Sequence, residues 1–312
     1  MLEIFQLLYD AGVNIAIRES LPWSIVQFLE VMTILGNGAV LFSIAALMYW
    51  FDPDNIKRKR LLLLSLAVLT LAVVGGLKGT LQVSRPDLAF APENYPGWST
   101  PSAHAMGSTM IYGGFAVLSG SKLIFKIFQY LGAGALIFTI ALSRVVLGVH
   151  YVGDVILGVL LGIIFVYIGI KTKRKRTIGA VFGLGLLISI GAFLLGSEEF
   201  VTLTIGSSLG GLVSWEVVKY KIAHPRYAST VMMMIIIAPI AISFWVIDAF
   251  VLGYIGVDDM VFLYIPVRSL VQIVGYAILF VLAVTLPFMA DMINHWKTVD
   301  RLEKYIPPFE ED

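Results

Sequence analysis

KRKRLLLLSLAVLTLAVVGGLK, residues 57–78, opens on four cations and then runs from Leu61 to Leu77 without a charge. A helix of about 20 apolar residues matches the hydrocarbon thickness of a bilayer. The pattern recurs along the chain. Comparable runs lie at 23–50, 61–78, 102–119, 128–144, 151–170, 178–196, 200–218, 228–252 and 266–290. The expectation is an all-α polytopic membrane bundle of about nine transmembrane helices. Composition agrees. Of 312 residues, 58% are hydrophobic and 14% charged, with a mean hydropathy of +0.88; a soluble domain has roughly 45–50% and about 25%. That excludes a soluble globular enzyme and a disordered chain. Lys and Arg number 22 against 21 acids, a balance that excludes a nucleic-acid partner. Cysteine is absent, so disulfides, thiol catalysis and thiolate metal sites are excluded.

Charge placement sets the expected topology. Seventeen of the 22 cations fall in one set of alternate gaps between spans, and Arg18, Lys78, Arg85, Arg144 and Arg268 in the other. Cytoplasmic loops carry the cation excess, so the N-terminus is expected outside and the C-terminus inside. Met1–Leu21 has no basic leader region and is interrupted by Glu3, Asp10 and Glu19; it reads as an amphipathic surface helix, not a signal peptide. The KTKRKR run at 171–176 divides the chain. Three regions are expected: an N-terminal segment 1–22, a five-span core 23–171, and a C-terminal membrane extension 172–312 of about four spans, its role open. No sequence repeat relates the halves, which weakens an inverted-repeat transporter reading.

Three stretches place chemistry at the outer face. In LKGTLQVSRPD (77–87), Lys78 and Arg85 are seven apart, on one face of a continuing helix, and Pro86 should stop that helix at Arg85. In STPSAHAMGST (99–109), Ser99 or Thr100 can cap a helix with Pro101 in its first turn. The amides near Ser102, Ala103 and His104 then form an anion site at a helix N-terminus. In LSRVVLGVHYVGD (142–154), Asp154 follows His150 by four, one turn on and on the same face. A carboxylate there can hold one ring nitrogen and leave the other as a nucleophile. Together these offer three cations, helix-terminal amides and two histidines to a tetrahedral dianion.

Lys78-x6-Arg85-Pro86, Pro101-Ser102-Ala103-His104 and Ser143-Arg144-x5-His150-x3-Asp154 resemble, in order, the signature motifs of the type 2 phosphatidic acid phosphatase superfamily. That group includes membrane lipid phosphatases, glucose-6-phosphatase and the vanadium haloperoxidases. The likeness covers about residues 60–170, and Ala103 stands where the family usually has Gly. The resemblance implies a metal-independent phosphatase that needs no cofactor. His150 would attack phosphorus, Asp154 would orient it, and His104 would serve the leaving oxygen. Lys78, Arg85, Ser102, Ala103 and Arg144 would bind the phosphoryl group. A lipid phosphate or polyprenyl (di)phosphate at the extracytoplasmic surface of the cell membrane is the expected substrate, with the bilayer itself as partner and the oligomeric state open. PSAHAMG also resembles the glucose-6-phosphatase motif, so a sugar phosphate is an alternative. A non-catalytic transporter or scaffold on a phosphatase core is a second.

Other residues carry weaker expectations. Asp87, Glu93, Tyr95 and Trp98 line the outer loop as interfacial or mouth residues, Asp248 pairs with Arg268, His224 and His295 are solvated, and Met232–Met234 pack.

Overall fold

The computed structural model describes residues 6–51, 54–92, 97–118, 123–171, 177–196, 200–218, 227–248, 261–262 and 265–305. Glu93, Tyr95 and His224, and the side chain of His295, lie outside the described residues.

The chain begins with α1 (Ala11–Glu19), whose N-terminus is capped by Asp10 accepting from Gly12 N at 2.8 Å. Next come α2 (Trp23–Met32), a 3-10 turn (Thr33–Gly36) and α3 (Gly38–Phe51). The run expected as one span over 23–50 is therefore broken. The two parts meet at 56°. Asn37 is extended, and its side chain accepts from Ala39 N at 2.9 Å, so the Leu-Gly-Asn-Gly sequence starts a new helix there. α4 (Asp54–Leu81) is the 28-residue axis of the molecule. It ends four residues before Arg85, because Gln82 turns left-handed at φ 48° while its N–H bonds back to Lys78 O at 3.0 Å.

The third expected span is short and irregular: α5 (Ala103–Ser108), a π turn (Thr109–Gly113) and α6 (Gly114–Leu118). Its cap is Ser102, which accepts from Ala105 N at 3.4 Å. The expected caps, Ser99 and Thr100, have their hydroxyls committed to Asp154, and Pro101 precedes the cap. α7 (Leu123–Val146), α8 (Val152–Lys171), α9 (Thr177–Leu194), α10 (Val201–Val218) and α11 (Tyr227–Val246) follow. A two-residue antiparallel ladder, β1 (Val261–Phe262) with β2 (Ile265–Pro266), leads into α12 (Val267–Tyr305), which runs beyond the expected end at 290.

Among the described residues, six helices are long and apolar enough to cross a membrane, or seven if α2 and α3 form one bent span. The other two expected spans are shorter: α5–α6, and the apolar part of α11, Thr230–Phe244. An all-α polytopic bundle fits this architecture.

α4 sits at the centre, with 72% of its span buried, whereas 6% of the α7 span is. Leu61–Leu64, Leu66 and Leu69 pack with Phe182 of α9, Trp215 of α10 and Phe280 of α12. Between helices in lipid, close packing replaces the hydrophobic drive. Two positions matter for the site. A Cβ on Gly158 would stand 2.8 Å from Ser102 O, and one on Gly162 would stand 2.9 Å from Met106 O. Both glycines thus let α8 approach the backbone of α5.

Candidate active site

The site forms where α4 and α7 end and α5 and α8 begin. Past Val146 the chain turns tightly, with Val149 N and His150 N both directed at Arg144 O, at 3.2 and 3.3 Å. Gly148 takes φ +69°, and any Cβ there would meet Phe90 at 2.9 Å. This turn places His150 one residue ahead of the α8 N-cap region and Asp154 in the first turn of α8, where a carboxylate is favoured by the helix dipole.

Asp154 is fully buried, and donors surround it. Ser99 Oγ and Thr100 Oγ1 each donate to one of its oxygens. Tyr151 N donates to Oδ2 at 2.8 Å. His150 Nδ1 lies 3.4 Å from the same oxygen. The backbone joins in, since Ser102 N donates to Asp154 O at 3.1 Å and fixes the start of α5 against α8. The other ring nitrogen of His150, Nε2, lies 3.3 Å from Arg85 Nη1. Burial holds the His150 imidazole well below its ordinary pKa; Asp154 opposes that shift, and the charges of Arg85 and Arg144 add to it.

The cations arrive from three elements. Lys78 stands in the last turn of α4 and is 3% exposed. Arg85 reaches in from the following loop, not from the helix, and donates to Gly97 O at 2.9 Å and Val149 O at 2.7 Å. Ser99 N bonds to Val83 O at 2.8 Å, closing that loop. Arg144, in the last turn of α7, is also 3% exposed and donates to Thr33 Oγ1 at 2.7 Å. His104 occupies the first turn of α5, against Gly36, where a Cβ would stand 3.0 Å from its Cδ2. Arg144, His150, Lys78 and Arg85 all act electrostatically on it. Ser102 is buried at the cap and Ala103 half-buried beside it. The fold thus brings together all eight residues singled out in the sequence. Three cations gathered around two imidazoles form a site suited to a multiply charged anion.

Some residues here were not singled out. Ser99 and Thr100 read as helix caps but serve as donors to Asp154. Thr33 and Asn14 gave no signal beyond membership of apolar or amphipathic segments. Asn14 donates to two backbone carbonyls of the His150 turn. The N-terminal segment is therefore more than a surface helix, since this face of it is docked on the site. Tyr9 packs against Tyr151, with the rings tilted by 51° and their centroids 5.6 Å apart. Elsewhere, Asp248 and Arg268 pair as expected, at 3.2 Å, with Gln272 adding a bond of 2.9 Å. Met233 packs with Ile237, Leu286 and Ala290. Asp87 and Trp98 are exposed.

The sequence pattern of the PAP2 superfamily matches residues 58–178. Phosphatidylglycerophosphatase B of Bacillus subtilis (strain 168) is 36% identical over 107 residues, which are 32% of this chain and 52% of that protein. The chain thus spans about half the length of the curated relative it matches. No solved structure matches. The motif residues converging on His150 all fall within 58–178, the segment that is similar to the PAP2 superfamily.

Proposed function

We propose that this protein is an integral membrane phosphatase that hydrolyses a lipid phosphate or polyprenyl (di)phosphate through a phosphohistidine. The observation that carries the reading is the setting of His150, with Nδ1 toward Asp154 and Nε2 toward the Arg85 guanidinium. Asp154 keeps a proton on Nδ1, which leaves the Nε2 lone pair for attack. Nε2 bonds to phosphorus as the P–O bond to the leaving group breaks, an ester bond in a monophosphate and an anhydride bond in a diphosphate, and His104 gives its proton to the departing oxygen. Water then attacks phosphorus, His104 takes its proton, and the N–P bond breaks to release inorganic phosphate. Lys78, Arg85, Arg144, Ser102 and the Ala103 amide offset the negative charge of the phosphoryl oxygens. On this reading the protein needs no metal, because cations and amides already fill the role of a charge clamp.

The relative's name, a phosphatidylglycerophosphatase, favours a lipid substrate over a sugar phosphate. The proposed topology keeps N outside and C inside, so the site lies at the extracytoplasmic surface of the cell membrane. There a lipid headgroup can reach it while the tail stays in the bilayer. Region 23–171 is the catalytic core on this reading, and 172–312 is a membrane extension whose role stays open and whose helices α9 and α10 pack on α4. The test is phosphate release by the purified protein in detergent, with EDTA present, on phosphatidate, phosphatidylglycerophosphate, a polyprenyl diphosphate and glucose 6-phosphate. Lipid turnover that is lost in His150→Ala supports the proposal. Turnover of glucose 6-phosphate alone would overturn the substrate class, and activity rescued only by Mg²⁺ would overturn the chemistry.

A further inference from the structure

α1 lies outside residues 58–178, yet it holds the turn that carries His150. The last four carbonyls of a helix have no partner within it. α7 ends at Val146, and side chains of α1 take up carbonyls from this end and from the turn. Asn14 Nδ2 donates to Val145 O and to His150 O, each at 2.9 Å. Arg18 Nη1 donates to Val146 O at 2.9 Å. Asn14 and Arg18 are four apart, so they share one face of α1, and a cation at the C-terminus of α7 also suits its dipole. The Arg18 guanidinium lies over the Phe90 ring, 4.5 Å from its centroid, and that ring is the one pressed on Gly148.

Asn14 is 0% exposed. Bonds in such surroundings are electrostatically stronger than in water; Val145 O also accepts from Gly148 N at 3.0 Å, so the desolvation penalty for a lost donor would fall on His150 O. One amide thus ties the last turn of α7 to the backbone of the residue bearing the imidazole. It spans the whole turn from Val145 to His150.

We propose that Asn14 is a positioning residue for His150, and that α1 belongs to the catalytic unit although it lies outside the matched family segment. The inference rests on His150 being the nucleophile. Asn14 acts through the backbone, so its loss lets the imidazole drift relative to Asp154 and the bound phosphoryl group. A misplacement of about 1 Å can cost roughly 100-fold in rate.

The experiment uses the full-length protein in detergent, with kcat and KM measured on a short-chain phosphatidate and on p-nitrophenyl phosphate. Asn14→Leu keeps the branched outline of the side chain and removes both bonds. Its kcat should fall roughly 10- to 100-fold on both substrates, with KM within about twofold of wild type. Asn14→Ser, with one donor for two carbonyls, should fall between Asn14→Leu and wild type. A purely structural role would instead lower the folded fraction and leave the kcat of the folded protein unchanged. That result, or a kcat for Asn14→Leu within twofold of wild type, overturns the proposal. If Asn14→Leu does not fold, Asn14→Ser decides: a kcat at least fivefold down at unchanged KM supports positioning, and a smaller loss refutes it. His150→Ala is run in parallel. If it stays active, the nucleophile assignment has failed; if it is dead while Asn14→Leu is fully active, only the present inference has failed.

Discussion

Asp154→Asn keeps the shape of the side chain and removes its charge. Tyr151 N is a fixed donor 2.8 Å from Oδ2, so the new amide must place its oxygen there. Its NH₂ then takes the Oδ1 position facing Thr100, whose hydroxyl can rotate to accept. In that orientation the amide oxygen still faces His150 Nδ1, so the tautomer is kept. What is lost is the attraction between a carboxylate and the imidazolium character that develops as Nε2 bonds to phosphorus. Unit charges 4 Å apart interact by about 4 kcal/mol at an effective dielectric of 20, and Nδ1 and Oδ2 are 3.4 Å apart. At 1.36 kcal/mol per decade, kcat should fall on the order of 1,000-fold. An Asp→Asn change in a protease triad that also upsets the tautomer costs about 10⁴, so a smaller loss is expected here. Charge-assisted bonds from Ser99, Thr100 and Tyr151 become neutral ones, at a cost of roughly 1 kcal/mol each. A modest drop in Tm should therefore accompany the loss of rate. The assay is steady-state phosphate release from a phosphatidate by monodisperse protein, with tryptophan fluorescence reporting Tm. A kcat within tenfold of wild type, or a loss confined to KM, would refute the reasoning.

Four other outcomes can be checked. Gly162→Val puts a side chain where a Cβ already stands 2.9 Å from Met106 O and 2.6 Å from Thr109 Cβ; separating α8 from α5 should cost about 1–3 kcal/mol of stability, read as a lower Tm, and should reduce kcat as His150 and Ser102 part. His104→Ala should hurt a phosphatidate more than p-nitrophenyl phosphate, since nitrophenolate leaves without a proton, whereas Arg85→Lys and Arg144→Lys should hurt both alike, measured as kcat/KM on the two substrates. Because burial lowers the His150 pKa, the nucleophile stays unprotonated as pH falls through the ordinary imidazole range; the acid limb of kcat/KM should lie below about 6.5, and a limb at or above that value would contradict the buried setting. Cysteine introduced at position 94 should react with an impermeant thiol reagent in intact cells, and cysteine at Ser121 or Thr177 should not; the reverse pattern would invert the proposed topology.

What the sequence alone determined was set by local chemistry. Long apolar runs have one stable form in lipid, the helix, so the all-α bundle was legible from Leu61–Leu77 and its repeats. His150 and Asp154 are one turn apart, and that spacing was enough to foresee their pairing. The convergence of Lys78, Arg85, Ser102, His104 and Arg144 was legible because their motifs sit at span ends on one side. What the tertiary structure decided were matters of competition and approach. Hydropathy averages over a window, so it passed over the 56° break at Asn37 and the π turn in 109–113. The cap of α5 went to Ser102 because Asp154, 55 residues beyond Ser99 in sequence, claims the Ser99 and Thr100 hydroxyls. Arg85 enters from a loop because the helix unwinds at Gln82. Asn14 meets His150 across 136 residues. A lone asparagine in an amphipathic helix has no periodicity or spacing to mark it, so only the packed fold could show what its amide holds.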